Sequence, residues 1–209
     1  MNEDNTSESE IEQYPVISGN YKVFLYAIKE SQWLKAFLKD SETGSLKLIQ
    51  TIPFCTTSGA LGPKRKQGDL QIPEGWYTID RFNPNSRFHL SLGLNYPNKS
   101  DLMRSTFEDP GDNIFIHGGC QSIGCISLGD TPISWLYSLC EGASNKNDIQ
   151  VLIAPKEVFC YRDEDLSNSP HSVLWNELIA IQKEVEVNER LPRVEIVDGS
   201  YQLSLAVEG

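Results

Sequence analysis

A histidine, a serine and two cysteines fall within the nine residues His117-Gly118-Gly119-Cys120-Gln121-Ser122-Ile123-Gly124-Cys125. An imidazole, a hydroxyl and a thiol in one glycine-punctuated turn are the groups that nucleophilic acyl chemistry uses. A cysteine attacks carbonyls as its thiolate, and an ordinary thiol with a pKa of about 8.5 needs a nearby base or cation to reach that form near neutrality. His117 is the candidate for both jobs, as base and as ion-pair partner of Cys125. The motif contains no acid to orient the imidazole, so a backbone carbonyl such as that of Gly118 is the expected orienter. Gly124 removes a Cβ directly before the nucleophile. The amides of Gly124 and Cys125 are therefore the expected oxyanion donors, each worth roughly 3 kcal/mol in well-studied hydrolases. Ser122 is placed to hydrogen-bond the turn or a substrate.

The same residues allow other readings. His117, Cys120 and Cys125 would supply three zinc ligands, but no fourth ligand and no Cys-x-x-Cys pair accompanies them. Cys120 and Cys125 could join in a disulfide, or be small buried hydrophobes.

The motif must be delivered by ordered elements. Asn113-Ile114-Phe115-Ile116 is β-branched and aromatic and reads as a buried strand ending at His117. Beyond Ile126-Ser127-Leu128, the run Asp130-Thr131-Pro132 reads as a helix start. Upstream, Tyr21 to Ala27 suggests a first strand, and Trp33 to Lys39 either a strand or a short helix. Ser41 to Gly44 forms a turn before Leu46-Lys47-Leu48-Ile49. Alternation of Phe88, Leu90, Leu92 and Leu94 with Arg87, His89, Ser91 and Gly93 predicts a half-buried strand, with His89 on its polar face. Gln150 to Ala154 reads as a last strand. Arg162 to Ser169 is polar and reads as a linker. Val173, Leu174, Leu178, Ile181 and Val185 stand near helical spacing and predict an amphipathic brace. Arg193 to Val207 predicts a hairpin across Asp198-Gly199.

Three blocks in order resemble the L,D-transpeptidase (YkuD-type) catalytic domain. Gly62-Pro63-Lys64-Arg65-Lys66-Gln67-Gly68-Asp69 with Ile72-Pro73-Glu74-Gly75-Trp76-Tyr77-Thr78-Ile79 is similar to its Gly-Asp and Thr-Pro-Glu-Gly-x-Tyr segment. Ser91 to Asn98 is similar to its Asn-Tyr-Pro-Asn strand and turn, and Ile116 to Cys125 to its His-Gly and Ser-x-Gly-Cys signature. Cys120 and the Gly-Pro-Lys block look most like the YafK-type subgroup.

The resemblance implies a mainly β fold, a β-sandwich of mixed sheets with short helices and a C-terminal helix, and favours the strand reading of Trp33 to Lys39. It implies Cys125 as nucleophile and His117 as base, with Ser122, Gly124 and Gly118 shaping the loop. The implied activity is acyl transfer on peptidoglycan stem peptides through a thioester at a diaminopimelate carbonyl. No cofactor and no metal is called for. Ser127 stands where transpeptidases usually carry an arginine, a departure that the YafK-type proteins share. It favours the alternative of a hydrolase that frees stem-peptide residues or a wall-anchored lipoprotein. A catalytically silent peptidoglycan-binding module is the remaining alternative, although nucleophile and base are both intact.

Composition narrows the partners. The 209 residues carry 29 acids against 18 bases, a net charge of −11, which repels nucleic-acid phosphates. Lys64-Arg65-Lys66 is the compact basic cluster, read either as a solvated loop or as a contact for stem-peptide carboxylates. No apolar run approaches the ~20 residues of a membrane span. Met1 to Gln13 holds five acids and no base, the inverse of a secretory signal. An extracytoplasmic (periplasmic) protein whose signal has been removed is the expectation.

The expected division is an acidic, disordered leader over 1–19, a catalytic domain over 20–160, and a linker, helix and C-terminal extension over 161–209. The five cysteines are too few to build the fold. Cys120 is expected either to pack beneath the loop or to act as a resolving thiol for Cys125.

Overall fold

The computed structural model describes residues 14–204. Ten strands and four helices follow one another in the order β1 (Lys22–Ile28), β2 (Trp33–Lys39), β3 (Leu46–Pro53), β4 (Gly75–Ser86), β5 (His89–Leu94), α1 (Lys99–Arg104), β6 (Phe115–His117), β7 (Ile126–Ser127), α2 (Asp130–Gly142), β8 (Gln150–Ala154), α3 (Asp163–Ser167), α4 (Ser172–Glu186), β9 (Arg193–Val197) and β10 (Ser200–Ser204). Eight of the strands form one mixed sheet in the order β3-β2-β1-β8-β4-β5-β6-β7, and β9 and β10 make a separate hairpin. The mainly β architecture expected from the sequence is present.

β1 shows why the sheet sits where it does. It is flanked by β2 antiparallel and β8 parallel, so it needs apolar side chains on both faces. Val23, Leu25 and Ala27 pack into one core and Phe24, Tyr26 and Ile28 into a second, all fully buried. The long β4 belongs to both ends of the sheet: Gly75 to Thr78 pair with β8, while residues from Ile79 on pair with β5. The first core joins residues from both ends, Leu34 and Ile52 with Leu92, Ile116 and Ile126. The two sandwich layers are thus halves of a single sheet that share β4.

The helices close the two cores. In α2, Ile133, Leu136, Tyr137 and Cys140 recur at helical spacing and are buried in the first core. In α4, Leu174, Trp175, Leu178, Ile181 and Val185 cover the second. The predicted helix is therefore a brace on the back of the sheet. It is also tied electrostatically. The Lys29 ammonium uses all its hydrogens on Gly62 O (2.7 Å), Ile72 O (2.8 Å) and Glu74 Oε1 (3.0 Å), and Trp175 Nε1 donates to Glu74 Oε2 at 2.8 Å. Lys29 and Glu74 are both buried, and these contacts fix the 62–74 segment between β1 and α4.

Three boundaries differ from the sequence reading. Residues 1–13 of the expected leader lie outside the described residues, but its end is ordered: Tyr14 packs on Trp135 with ring centroids 5.3 Å apart, and Trp135 Nε1 donates to Pro15 O at 2.8 Å. An acidic composition does not prevent order where an aromatic residue finds a partner. The 162–169 linker contains the short α3, because Asp165 accepts from Arg162 N (2.9 Å) and Lys156 Nζ (3.0 Å). β5 is buried on both faces from Ser91 to Leu94, not half-buried. Leu92 and Leu94 meet the core, while a Cβ on Gly93 would meet the Asp80 and Arg81 side chains. The last part of the predicted hairpin, 205–207, lies outside the described residues.

Candidate active site

β6 and β7 are parallel neighbours, with Ile116 opposite Ile126 and His117 opposite Ser127. Residues 118–125 form the connection between them, and in this register Cys125 falls level with Phe115, two residues along the strand from His117. Both line a cavity of about 630 Å³ that also meets Lys64, Ser91, Phe88 and Ser122.

His117 is buried, and its Nδ1 lies 2.6 Å from Gly118 O. A carbonyl only accepts, so Nδ1 carries the proton and Nε2 is left with its lone pair. The ring is also stacked on Phe88, with centroids 4.6 Å apart and planes at 28°. Burial lowers the His117 pKa below its usual 6.5, against a smaller upward pull from the Gly118 carbonyl. Burial raises the Cys125 thiol above its usual value, offset in part by the backbone of Phe115 and the charge of Lys64. Both shifts favour the neutral forms. Those forms are a thiol and an imidazole, rather than the ion pair anticipated from the sequence.

The expected oxyanion donors are placed differently from expectation. Gly124 N and Cys125 N both point at Ser122 Oγ, at 3.3 and 3.2 Å, and Ser122 Oγ donates to Cys125 O at 2.7 Å. Ser122 is therefore the internal clasp of the nucleophile turn. Gly124 has φ +126°, and a Cβ there would lie 3.1 Å from Gln71 O. Gly118 also leaves no space, since a Cβ would lie 2.5 Å from Phe88 O.

The second cysteine has a partner that the sequence reading did not find. Cys120 is disulfide-bonded to Cys55, across a sequence separation of 65, and Cys125 is free. Cys120 is thus neither a resolving thiol for Cys125, nor a zinc ligand, nor a free packing residue. Cys55 carries no local signal, because the contact is made only when the segment after β3 lies along the motif loop. Two further contacts follow the same path: Ser58 Oγ meets Ser122 Oγ at 3.1 Å, and Thr56 forms an antiparallel bridge with Ser127. Among the described residues no group of three or more His, Cys, Asp or Glu side chains could hold a metal ion.

The basic cluster divides. Arg65 turns inward to Asp101 (3.2 Å), Lys66 lies over the Phe107 ring (5.3 Å), and Lys64 is buried and lines the cavity. A run of three cations does not reveal which one faces inward. His89 is exposed and bonds Ser134 Oγ at 2.7 Å on α2. It does not line the cavity.

Comparison with known proteins places this geometry. The family model described as the L,D-transpeptidase catalytic domain (YkuD) matches residues 7–153. This chain belongs to the L,D-transpeptidase catalytic domain family. Within it, the chain is similar to YafK of Escherichia coli K12, which carries the name L,D-transpeptidase provisionally, with 30% identity over 189 residues, 87% of this chain and 74% of that protein. Its fold is similar to the helical cell shape determining protein Pgp2 from Campylobacter jejuni, with TM-score 0.54 and 17% identity over 91% of this chain and 79% of that one. A variant of Pgp2 gives a TM-score of 0.55. The matched residues include the motif loop between β6 and β7, whose thiol and imidazole line one cavity.

Proposed function

We propose that this protein is a cysteine acyltransferase acting on the stem peptides of peptidoglycan, with Cys125 as nucleophile and His117 as general base. The observation that carries the reading is the bond from His117 Nδ1 to Gly118 O, which leaves a basic Nε2 on a ring that lines the same cavity as the free thiol of Cys125. In the first half-reaction Nε2 takes the thiol proton while Sγ bonds to a diaminopimelate carbonyl carbon. The tetrahedral adduct collapses to a thioester, and the departing amine takes the proton from His117. In the second, an acceptor loses its proton to His117 as it attacks the thioester, and the thiol is restored. An amine acceptor forms a cross-link, and water hydrolyses the bond.

Hydrolysis is the second reading, favoured by one observation. Ser127, at the position where transpeptidases usually carry a cation, is fully buried and bonded to Thr56. The Cys55–Cys120 disulfide suits an oxidising, extracytoplasmic compartment, where peptidoglycan is found.

The test is mass spectrometry of muropeptides from purified sacculi, with and without attached lipoprotein, after incubation with the protein or its Cys125→Ala variant. Cys125-dependent diaminopimelate-to-diaminopimelate cross-links identify a transpeptidase. Cys125-dependent shortened stems or freed lipoprotein, without new cross-links, identify a hydrolase. Unchanged muropeptides, with sacculi still bound, would leave a binding module and refute the enzyme reading.

A further inference from the structure

The most unusual charge in the catalytic cavity is the Lys64 ammonium, whose side chain is only 5% exposed. Burying an ammonium is costly unless the protein pairs it. Asp69 Oδ1 accepts from Nζ at 2.7 Å and Lys66 O at 2.8 Å, which uses two of its three hydrogens. No third protein acceptor is within reach among the described residues.

The holder is itself built. Asp69 also accepts from the backbone amides of Arg65 (2.9 Å), Lys66 (2.9 Å) and Gln71 (3.0 Å), so its carboxylate is locked in place and Lys64 shares it with three other donors. Gly111 flanks the lysine stem, and a Cβ there would come within 2.9 Å of Lys64 Cε. A loop that places four donors on one carboxylate, and leaves one hydrogen of the Lys64 ammonium unused in the cavity that Cys125 also lines, is organised to present a charged donor there. Burial raises the Cys125 thiol overall, and the Lys64 charge pulls against that rise, after the backbone of Phe115.

Resting on the acyl-transfer reading above, we propose that Lys64 is a specificity-determining residue whose free hydrogen binds a carboxylate of the peptide next to the carbonyl that Cys125 attacks. Two carboxylates of a stem peptide have this chemistry: the C-terminal one of the departing residue, and the side-chain one of diaminopimelate. If the first is bound, the enzyme trims free peptide ends in preference to internal bonds. If the second, Lys64 reads the residue that becomes the thioester. Arg87 and Asp112 also line the cavity, exposed and without an ion-pair partner among the described residues, and Arg87 is the rival carboxylate anchor.

The experiment measures kcat and KM on a synthetic stem tetrapeptide with a free C-terminus, on its C-terminal carboxamide, and on the peptide amidated at the diaminopimelate side chain. Wild-type protein, Lys64→Met, Lys64→Gln and Arg87→Gln are compared. A charge-assisted bond predicts that the wild type disfavours one of the two amides by at least about tenfold, mainly in KM. Lys64→Met should erase that one preference while the other amide behaves as before, and the amide affected identifies the carboxylate. Lys64→Gln serves if Lys64→Met folds poorly, since it can still donate to Asp69. A preference that survives both Lys64 variants, or that vanishes in Arg87→Gln instead, overturns the assignment while leaving the acyl-transfer reading intact. If the wild type turns over none of the peptides, and intact-mass analysis finds no acylated Cys125, the acyl-transfer reading itself fails and the assignment with it.

Discussion

Ser127 and Thr56 exchange two hydrogen bonds beneath the catalytic loop: Thr56 N donates to Ser127 Oγ at 3.2 Å, and Ser127 Oγ donates to Thr56 O at 3.0 Å. Cys55 N adds a third contact to Ser127 O at 2.8 Å. A position that carries an arginine in transpeptidases is here a fully buried clamp between two segments of chain. Ser127→Ala should lower stability by about 1–3 kcal/mol, because Thr56 is left with an unpaired donor and acceptor. Ser127→Arg should cost more, as the guanidinium has no room without displacing residues 55–58. Denaturant unfolding of both variants measures this. A Ser127→Arg protein as stable as the wild type would show that the clamp does not matter.

The pKa directions at the site set a pH profile. A thiol raised above its usual value and an imidazole lowered below 6.5 both favour the neutral forms over an ion pair. Alkylation of Cys125 by iodoacetamide, followed by peptide mass spectrometry with the exposed Cys160 as internal reference, should therefore rise steadily through pH 7–9. A plateau already reached at pH 6 would mean that a thiolate–imidazolium pair exists. The acid limb of kcat/KM, which reports the free enzyme's base, should lie below 6.5. The sign for stability follows: as pH falls below 6.5, the unfolded chain binds a proton at His117 before the folded one does, so this group's contribution to stability is lost toward acid.

The Cys55–Cys120 disulfide closes a long loop, with a sequence separation of 65, and should contribute about 2–4 kcal/mol. A Cys55→Ser/Cys120→Ser protein, or the wild type in reductant, should melt lower and lose activity, since the motif loop then loses its covalent tie to the segment after β3. Calorimetry with and without reductant reads the first effect and muropeptide turnover the second. Identical melting curves would mean that the bond adds nothing to the fold.

Glu74 joins Lys29 to Trp175 and so joins the 62–74 segment to α4. Glu74→Ala should cost about 3–5 kcal/mol, because the Lys29 ammonium would be left buried and unpaired. Removing both partners, Glu74→Leu with Lys29→Met, should cost less than the single change. A double-mutant cycle tests this, and strictly additive losses would contradict the coupling.

Much of this protein was legible in its sequence because the signals are local. The apolar run of β1, the helical spacing of Leu174, Leu178, Ile181 and Val185, and the Asp198-Gly199 turn each state their structure within a few residues, through side-chain periodicity and turn chemistry. The candidate pair was legible for the same reason, since His117 and Cys125 sit in one motif, and both line one cavity. What only the tertiary structure decided depends on segments far apart in sequence. Cys55 meets Cys120 and Thr56 meets Ser127 because the chain after β3 runs along the motif loop, which no periodicity encodes. Gly124 and Cys125 turn their amides to Ser122 through the exact path of the turn. Lys64 faces the cavity while Arg65 and Lys66 do not, because Asp69 and its ring of amides select one cation of three. The sequence by itself determined which groups could do chemistry. Long-range packing decided which of them are buried, which are tethered, and which cation lines the cavity they share.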